Sequence, residues 1–277
     1  MLDIIHQPLA YEFMRHALIV GVLVGILCPI VGTYLVVQRM TFLANVISHS
    51  VLPGLALASF LGVDILLGAL AAGMISTWVI NWIRSQSFLK VDAAMNATLA
   101  SFFALGILLM STLKVSLDLE GFLFGDILSV TLGDVSRTLG ITGGILALII
   151  VFYRPLLFFT FDPVGAKVAG LPVEALNVGL TTVISLTIVA GMQSVGVVLI
   201  MALMVCPAIA ASLWFRELHW IMIGGAVLGM VASVIGLYTS YYLDWPSGAT
   251  IALTAFASFA LALTCRWGHS EGNTWKV

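Results

Sequence analysis

Charged side chains are scarce in this sequence. Asp, Glu, Lys and Arg make up 9% of the 277 residues, whereas soluble domains average about 25%. Hydrophobic residues account for 61% and the mean hydropathy is +1.14. So little polar surface excludes a water-soluble globular domain, because most of the outer surface must be covered by lipid. The formal net charge is −2, so no nucleic-acid partner is predicted.

Several chemical signatures are also missing. No GxxxxGK[ST] phosphate-binding loop occurs, so ATP hydrolysis by that route is not expected of this chain. The apolar segments contain almost no carboxylates, apart from Asp64 at an edge, which argues against a proton-driven carrier with ionisable groups at mid-membrane. The three cysteines lie far apart and form no CxxC pair, so neither a disulfide framework nor a permanently bound cofactor is predicted.

Long apolar segments dominate the sequence. Since a helix rises 1.5 Å per residue, about 20 apolar residues cross a bilayer. We therefore predict an all-α, polytopic membrane helix bundle of about eight transmembrane helices, with residues 1–277 forming one domain. The segments lie near 17–37, 63–83, 93–113, 139–160, 176–192, 195–214, 219–240 and 248–265.

One further apolar segment, 45–62, is interrupted by polar residues and by Pro53-Gly54. We interpret it as a broken or re-entrant element buried in protein, because broken backbone must find its hydrogen bonds internally. A segment that dips in and returns gives eight spans and a cytoplasmic amino terminus. A full crossing gives nine spans and an external amino terminus. The sequence favours eight.

The charges between the segments indicate the orientation. Arg84, Lys90, Arg154, Lys167 and Arg216 fall in loops on one side, and the alternate connections are mostly acidic. Positive residues mark the cytoplasmic side, so the carboxyl terminus is predicted to be cytoplasmic and the 114–138 connection external. That connection is semi-apolar and is expected to pack on the bundle or partly re-enter it.

The most informative short motif contains Asn45 and His49. Residues four apart share one face of a helix, and an imidazole beside an amide oxygen can hold a borderline divalent cation. The alternative is structural, with His49 hydrogen-bonding a neighbouring helix and Asn45 capping its own helix.

Two other patterns have weaker chemical interpretations. Ser48-His49-Ser50 suggests a hydrolase, but adjacent helical residues point about 100° apart and make a poor nucleophile–base pair. Met192, Met201, Met204 and Cys206 are soft donors that suit copper(I) or zinc. Methionine is also a common gap-filler in apolar cores, so packing is the favoured interpretation of this cluster.

The loop from Phe161 to Val173 is predicted to contain a short helix. Pro163 suits its first turn and Gly170 its end. Such a helix on the cytoplasmic face is either an ordinary connector or a docking element for a soluble partner.

Four blocks of residues resemble the membrane permeases of manganese-, zinc- and iron-importing ABC systems. The blocks are VVQRM at 36–40 running into NVISHSVLPG at 45–54; FLFGDIL at 122–128; FDP at 161–163 with Ala166 and Gly170; and VGVVL at 195–199 followed by Ala202-Leu203, Pro207-Ala208, Gly236-Leu237, Ser240-Tyr241 and PSGA at 246–249.

The resemblance implies a function and a set of partners. It implies the permease subunit of an ATP-driven importer in a bacterial plasma (inner) membrane, with a homodimer enclosing the translocation path and the divalent metal ion as substrate. It further implies cytoplasmic ABC ATPase subunits docked on Asp162, Pro163, Ala166 and Gly170, and an extracellular or periplasmic metal-binding protein.

The same resemblance implies which residues form the site, although this sequence differs from the family at one of the positions. In the family, the block around His49 lines the pathway near the outer gate and has a carboxylate four residues before the histidine. Here that position is Asn45, which removes a negative charge. Manganese is the first expectation for the cargo, then iron or zinc. An ABC permease for a metal chelate or cobalamin, and a secondary metal-ion carrier, are the alternatives.

Overall fold

The computed structural model describes residues 7–86, 90–115, 121 and 125–269, and the regular secondary structure within them is entirely helical. A short 3-10 turn, Ile127–Ser129, precedes the sixth helix. The helices in chain order are α1 (Glu12–Val37), α2 (Phe42–Ser50), α3 (Leu52–Leu61), α4 (Ile65–Gln86), α5 (Val91–Leu113), α6 (Leu132–Val151), α7 (Tyr153–Phe161), α8 (Pro163–Val168), α9 (Val173–Val195), α10 (Val197–Trp214), α11 (Leu218–Leu243) and α12 (Ser247–His269).

The predicted polytopic helix bundle is confirmed. Eight continuous helices in the described part of the chain are long and apolar enough to cross a membrane, and the pair α2–α3 is a ninth candidate over 20 residues. The continuous ones are α1, α4, α5, α6, α9, α10, α11 and α12. The interruption predicted within 45–62 lies at Val51, between α2 and α3.

The course of α2–α3 is a full crossing rather than a dip and return. At one end of the bundle, the Gln38 end, the Gln38 side chain donates a hydrogen bond to Thr160 Oγ1 at 3.4 Å. At the other, the Asp64 end, Asp64 pairs with Arg137 at 3.4 Å. Because α2 begins four residues after Gln38 and α3 ends three residues before Asp64, the pair connects the two ends. Of the two courses that the sequence allowed, this is the nine-span one.

Pro53 explains the break between α2 and α3. Proline has no N–H, and its ring clashes with the carbonyl four residues earlier, which here belongs to His49. The His49 carbonyl instead accepts from the Val51 N–H, and Pro53 occupies the first turn of α3, where proline is tolerated. The chain therefore restarts as a second helix immediately after the histidine.

The core of the bundle is built around α1. Within its most apolar stretch, 67% of the residues are buried inside the chain, against 22% for α5, α6 and α12. Helix α1 packs closely on α11, where Gly25 lies against Gly229. The outer faces of α5, α6 and α12 remain available for lipid or for another protein chain.

The connection before α6 packs onto this core where it is described. Phe122, Leu123 and Phe124 of the predicted semi-apolar stretch lie outside the described residues. Ile127 is 1% exposed and lies against α1 at Gly21, nine residues inside that helix. The described part of the connection therefore re-enters the bundle from the Asp64 end.

Candidate metal pathway and docking helix

Asn45 and His49 lie on one partly exposed face of α2. The residues between them, Val46, Ile47 and Ser48, are all buried. The His49 ring meets the ring of Phe103 on α5 edge to face, with 5.9 Å between centroids. Phe103 is 40% exposed, and no local sequence pattern could indicate this contact because Phe103 lies about 50 residues further along the chain.

The structural alternatives for these two residues find no support. Helix α2 begins at Phe42, so Asn45 lies inside the helix and the interpretation of Asn45 as its cap is wrong. Within the described part of the chain, neither side chain has a hydrogen-bonding partner. A polar side chain inside a membrane segment usually faces a water-filled cavity or another protein surface.

The potential metal-ligating atoms on this face suit a weakly held cation. His49 supplies an imidazole nitrogen and Asn45 an amide oxygen. The His49 carbonyl lacks the usual donor from residue 53, since that residue is proline. The described residues contain no group of three or more His, Cys, Asp or Glu side chains that could hold a metal ion. One chain therefore offers a partial set of metal ligands on this face.

The hydrolase interpretation is excluded by the geometry of Ser48. Its hydroxyl is buried and donates to the Ala44 carbonyl at 2.9 Å, so it is not directed at His49. The Ser50 hydroxyl is also buried and has no partner among the described residues. Ser50 was part of the pattern that suggested a hydrolase, and in the structure it is an unsatisfied polar group next to His49 in the chain.

The soft-donor cluster is part of the core. Met192 and Met204 are 1% and 0% exposed, and Met204 packs on α1 at Gly32. These contacts support the packing interpretation.

The loop after α7 contains the predicted short helix, α8, with a cap at each end. The Asp162 carboxylate accepts from the Gly165 N–H at 2.8 Å, and Pro163 is the first helical residue. At the other end Gly170 has φ +82°. The Gly170 N–H donates to Lys167 O and the Leu171 N–H to Ala166 O, which is the Schellman arrangement. Three of the four predicted docking residues therefore define the shape of this helix.

The two faces of α8 differ. Ala166 is fully buried and turned toward the bundle, whereas Val164 and Val168 are 73% and 84% exposed. Residues 164 and 168 are four apart and share one face. These two valines could not be singled out from the sequence, because spacing alone does not tell which face of so short a helix is turned outward.

Helix α7 anchors α8 to the bundle. Leu156 and Phe159 of α7 are buried. Burial, and then the nearby Glu217 carboxylate, raise the pKa of Tyr153 at the start of α7, while a hydrogen bond from the His219 backbone lowers it. Tyr153 thus stays protonated and ties α7 to the beginning of α11.

Comparison with known proteins places these features in a family. Residues 10–266 match the ABC 3 transport family. The chain is 38% identical over 257 residues to the manganese transport system membrane protein MntC of Halalkalibacterium halodurans, covering 92% of this chain and 88% of that protein. It is 32% identical over 263 residues to the chelated iron transport system membrane protein YfeD of Yersinia pestis, covering 95% and 89%.

A solved structure shows the same fold. The structure of PsaBC from Streptococcus pneumoniae in complex with Fab contains a chain that superposes with a TM-score of 0.85 at 37% identity, covering 95% of both chains. The protein described here is thus a polytopic membrane permease. It belongs to the ABC 3 transport family, which confirms the predicted resemblance and the prediction that this chain is a transport subunit rather than an enzyme.

Proposed function

We propose that this chain is the pathway-forming subunit of an ATP-driven importer for a divalent metal ion, with manganese as the first candidate and iron or zinc next. The observation that carries the proposal is the partly exposed face with Asn45 and His49, next to a proline break inside a membrane-crossing segment. The names of the manganese and iron relatives support the choice of cargo. Residues 1–277 form one permease domain in this proposal.

The subunit works as a homodimer. A single chain offers one imidazole and one amide at the site, and its described residues hold no complete metal cluster. Two copies facing each other bring two histidines to a shared path, so the ion exchanges part of its water shell without being trapped. A metal-binding protein outside the membrane delivers the ion.

The α8 loop docks a cytoplasmic ABC ATPase subunit. Asp162, Pro163 and Gly170 hold the helix in shape, and Ala166 seats it on the bundle. Val164 and Val168 then form the apolar contact with the ATPase, because two large exposed side chains on one face suit a partner surface better than water.

The orientation follows from this docking site. The chain lies in the bacterial plasma (inner) membrane, with the Gln38 end and the carboxyl terminus on the cytoplasmic side. With nine crossings, the beginning of α1 lies on the external side. Arg154, Lys167 and Arg216 then face the cytoplasm, in agreement with the positive-inside rule.

Metal uptake tests the proposed function directly. Cells with and without the gene are given radiolabelled Mn²⁺, Fe²⁺ or Zn²⁺, before and after ATP depletion. We expect the gene to confer uptake of one of these ions and ATP depletion to abolish it. Uptake that survives ATP depletion would instead support a secondary carrier, and uptake of only an iron chelate or cobalamin would support the other ABC permease class.

Replacing Gly170 with valine is expected to uncouple ATP hydrolysis from transport. A β-branched residue is strongly disfavoured at φ +82°, and left-handed backbone costs even ordinary residues roughly 1–2 kcal/mol. The Schellman end of α8 therefore unwinds. In proteoliposomes containing the assembled complex, we expect Mn²⁺ transported per ATP hydrolysed to fall several-fold.

A matched control exists at the other end of the bundle. Gly62 also has a positive φ, +67°, and no atom lies within 4 Å of the position of an added Cβ, as at Gly170. Gly62→Val introduces comparable strain away from α8. If Gly62→Val and Gly170→Val lose coupling to the same extent, the proposed docking role of the α8 loop is wrong.

A further inference from the structure

The Gln38 end of the bundle contains a cavity of about 880 Å³. It lies between the end of α1, the end of α4, the junction of α7 with α8 and the beginning of α9. Its polar lining comprises Gln38, Arg39, Asn81, Thr160, Glu174 and Asn177. Since a water molecule occupies about 30 Å³, the cavity has room for a cation with its shell of waters.

Two hydrogen bonds between side chains tie its walls together. Gln38 Nε2 donates to Thr160 Oγ1, which joins the α1–α2 loop to α7. Asn177 Nδ2 donates to Asn81 Oδ1, which joins α9 to α4. Both measure 3.4 Å, at the long end of the range for such bonds, and all four side chains are only partly buried. These are weak ties between different helices.

A second, smaller cavity continues the first toward the middle of the membrane. It measures about 290 Å³ and shares Trp78, Asn81 and Val178 with the larger one. Its far part is lined by Thr77, whose hydroxyl meets that of Ser185 at 3.2 Å.

This smaller cavity approaches the level of the histidine. The Thr77 hydroxyl donates to Gly73 O, and at Gly73 helix α4 lies against Ile47 and Val51. These two residues flank His49 in sequence. The two cavities thus extend from the level of the candidate metal site to the Gln38 end.

The docking helix is in contact with the same cavity. Pro163, the first residue of α8, lines the wall, and Thr160 lies three residues before it. Met40 also lines the cavity, and it lies two residues before α2, which contains Asn45 and His49. A displacement of α8 therefore alters the cavity directly and reaches α2 through the Gln38–Thr160 bond.

We propose that this cavity is the inner vestibule through which the cation leaves, and that the Gln38–Thr160 and Asn81–Asn177 hydrogen bonds are its latches. When α8 moves, the latches open and release amide and hydroxyl oxygens that replace water around a divalent cation. The exposed Glu174 carboxylate at the mouth attracts the ion, and the nearby Arg39 favours its departure. This inference rests on the proposed importer function.

The first experiment measures whether the cavity contains water. In a variant whose native cysteines are serine, Asn81→Cys is exposed to a membrane-impermeant thiol reagent in inside-out vesicles. We expect it to react at least about tenfold faster than Ile223→Cys. Ile223 lies at a comparable depth and lines an apolar groove between α1, α6 and α11. Equally slow labelling of both positions overturns the proposal.

The second experiment locks one latch. The pair Asn81→Cys and Asn177→Cys, in the complex reconstituted with its ATPase, is bridged by a short bifunctional methanethiosulfonate, which forms a reducible disulfide with each cysteine. We expect Mn²⁺ uptake by this double variant to fall at least about tenfold when the bridge forms and to return to its value before treatment when the bridge is reduced. Unchanged uptake after verified bridging overturns the proposal.

A failure of the proposed importer function and a failure of the vestibule proposal give different results in these experiments. If the cysteine-free parent transports none of Mn²⁺, Fe²⁺ and Zn²⁺, the importer function itself fails, whatever the labelling shows. If the parent transports one of them and bridging leaves uptake intact, only the vestibule is wrong.

Discussion

Replacing His49 with alanine lowers uptake of the transported metal at least about tenfold, while the complex with its ATPase still assembles. In the proposed pathway, His49 is the one strong metal ligand on the partly exposed face of α2. Losing even a residue that supports a metal ligand typically costs 10–100-fold in affinity or activity. Its removal does not disturb the fold, because its side chain is only partly buried and its described contact is one ring edge on Phe103. The measurement is initial Mn²⁺ uptake over a range of concentrations, with complex assembly followed by co-purification.

Two companion variants make this result specific. His219→Ala removes another partly exposed histidine, one that pairs with Glu217 at 3.3 Å on α11, and it is expected to leave uptake unchanged. Asn45→Asp introduces a carboxylate beside His49 and is expected to lower the Mn²⁺ concentration needed for half-maximal uptake. If His49→Ala transports at the parent rate, His49 has no role in the pathway.

Replacing Gly54 with valine is expected to prevent α3 from packing on α4. An added Cβ at Gly54 would lie 2.0 Å from Gly68 O and 2.7 Å from Ala72 Cβ. The atom in the way is backbone, which cannot move aside as a flexible side chain does. Overpacking of a well-packed core costs about 1–3 kcal/mol, and we place this variant at the upper limit. Thermal unfolding of the detergent-purified protein is expected to shift down by roughly 6–12 °C.

Gly143 provides the matched control for that experiment. It lies within α6, also a membrane-crossing helix, and no atom lies within 4 Å of an added Cβ there. Gly143→Val is therefore expected to change the unfolding temperature little. If the Gly54→Val variant unfolds at the same temperature as the parent, α3 does not approach α4 closely at this position.

The membrane helices were predictable from sequence because a bilayer demands long uninterrupted apolar segments. Seven of the eight continuous helices were found this way, and 176–192, which is shorter and more polar, was inferred from the orientation of its neighbours. The predicted segment 139–160 combined the second half of α6 with α7, which the structure separates at Phe152. The course of 45–62 was not predictable, because a break in the hydrogen-bonding pattern is the same whether the chain turns back or continues. Only the positions of Gln38 and Asp64 at opposite ends of the bundle distinguish the two courses.

Only part of the candidate site could be predicted from the sequence. The spacing of Asn45 and His49 on one face follows from helix geometry alone, and both caps of α8 follow from Asp162, Pro163 and Gly170. The contact with Phe103 and the cavity lined by Asn81 and Asn177 depend on tertiary packing between segments roughly 50 to 100 residues apart. No local pattern encodes such pairs.

Helix α2 has a mechanical property that follows from its two boundaries. At its start the chain turns sharply through Arg39, which has φ +57°, and at its end Pro53 denies the helix a continuing hydrogen bond. A nine-residue helix bounded in this way is not a continuation of either neighbouring helix, so its orientation is set by its own buried side chains, among them Leu43, Val46 and Ile47. The face with Asn45 and His49 is thus held in position by packing and not by a continuous helical backbone.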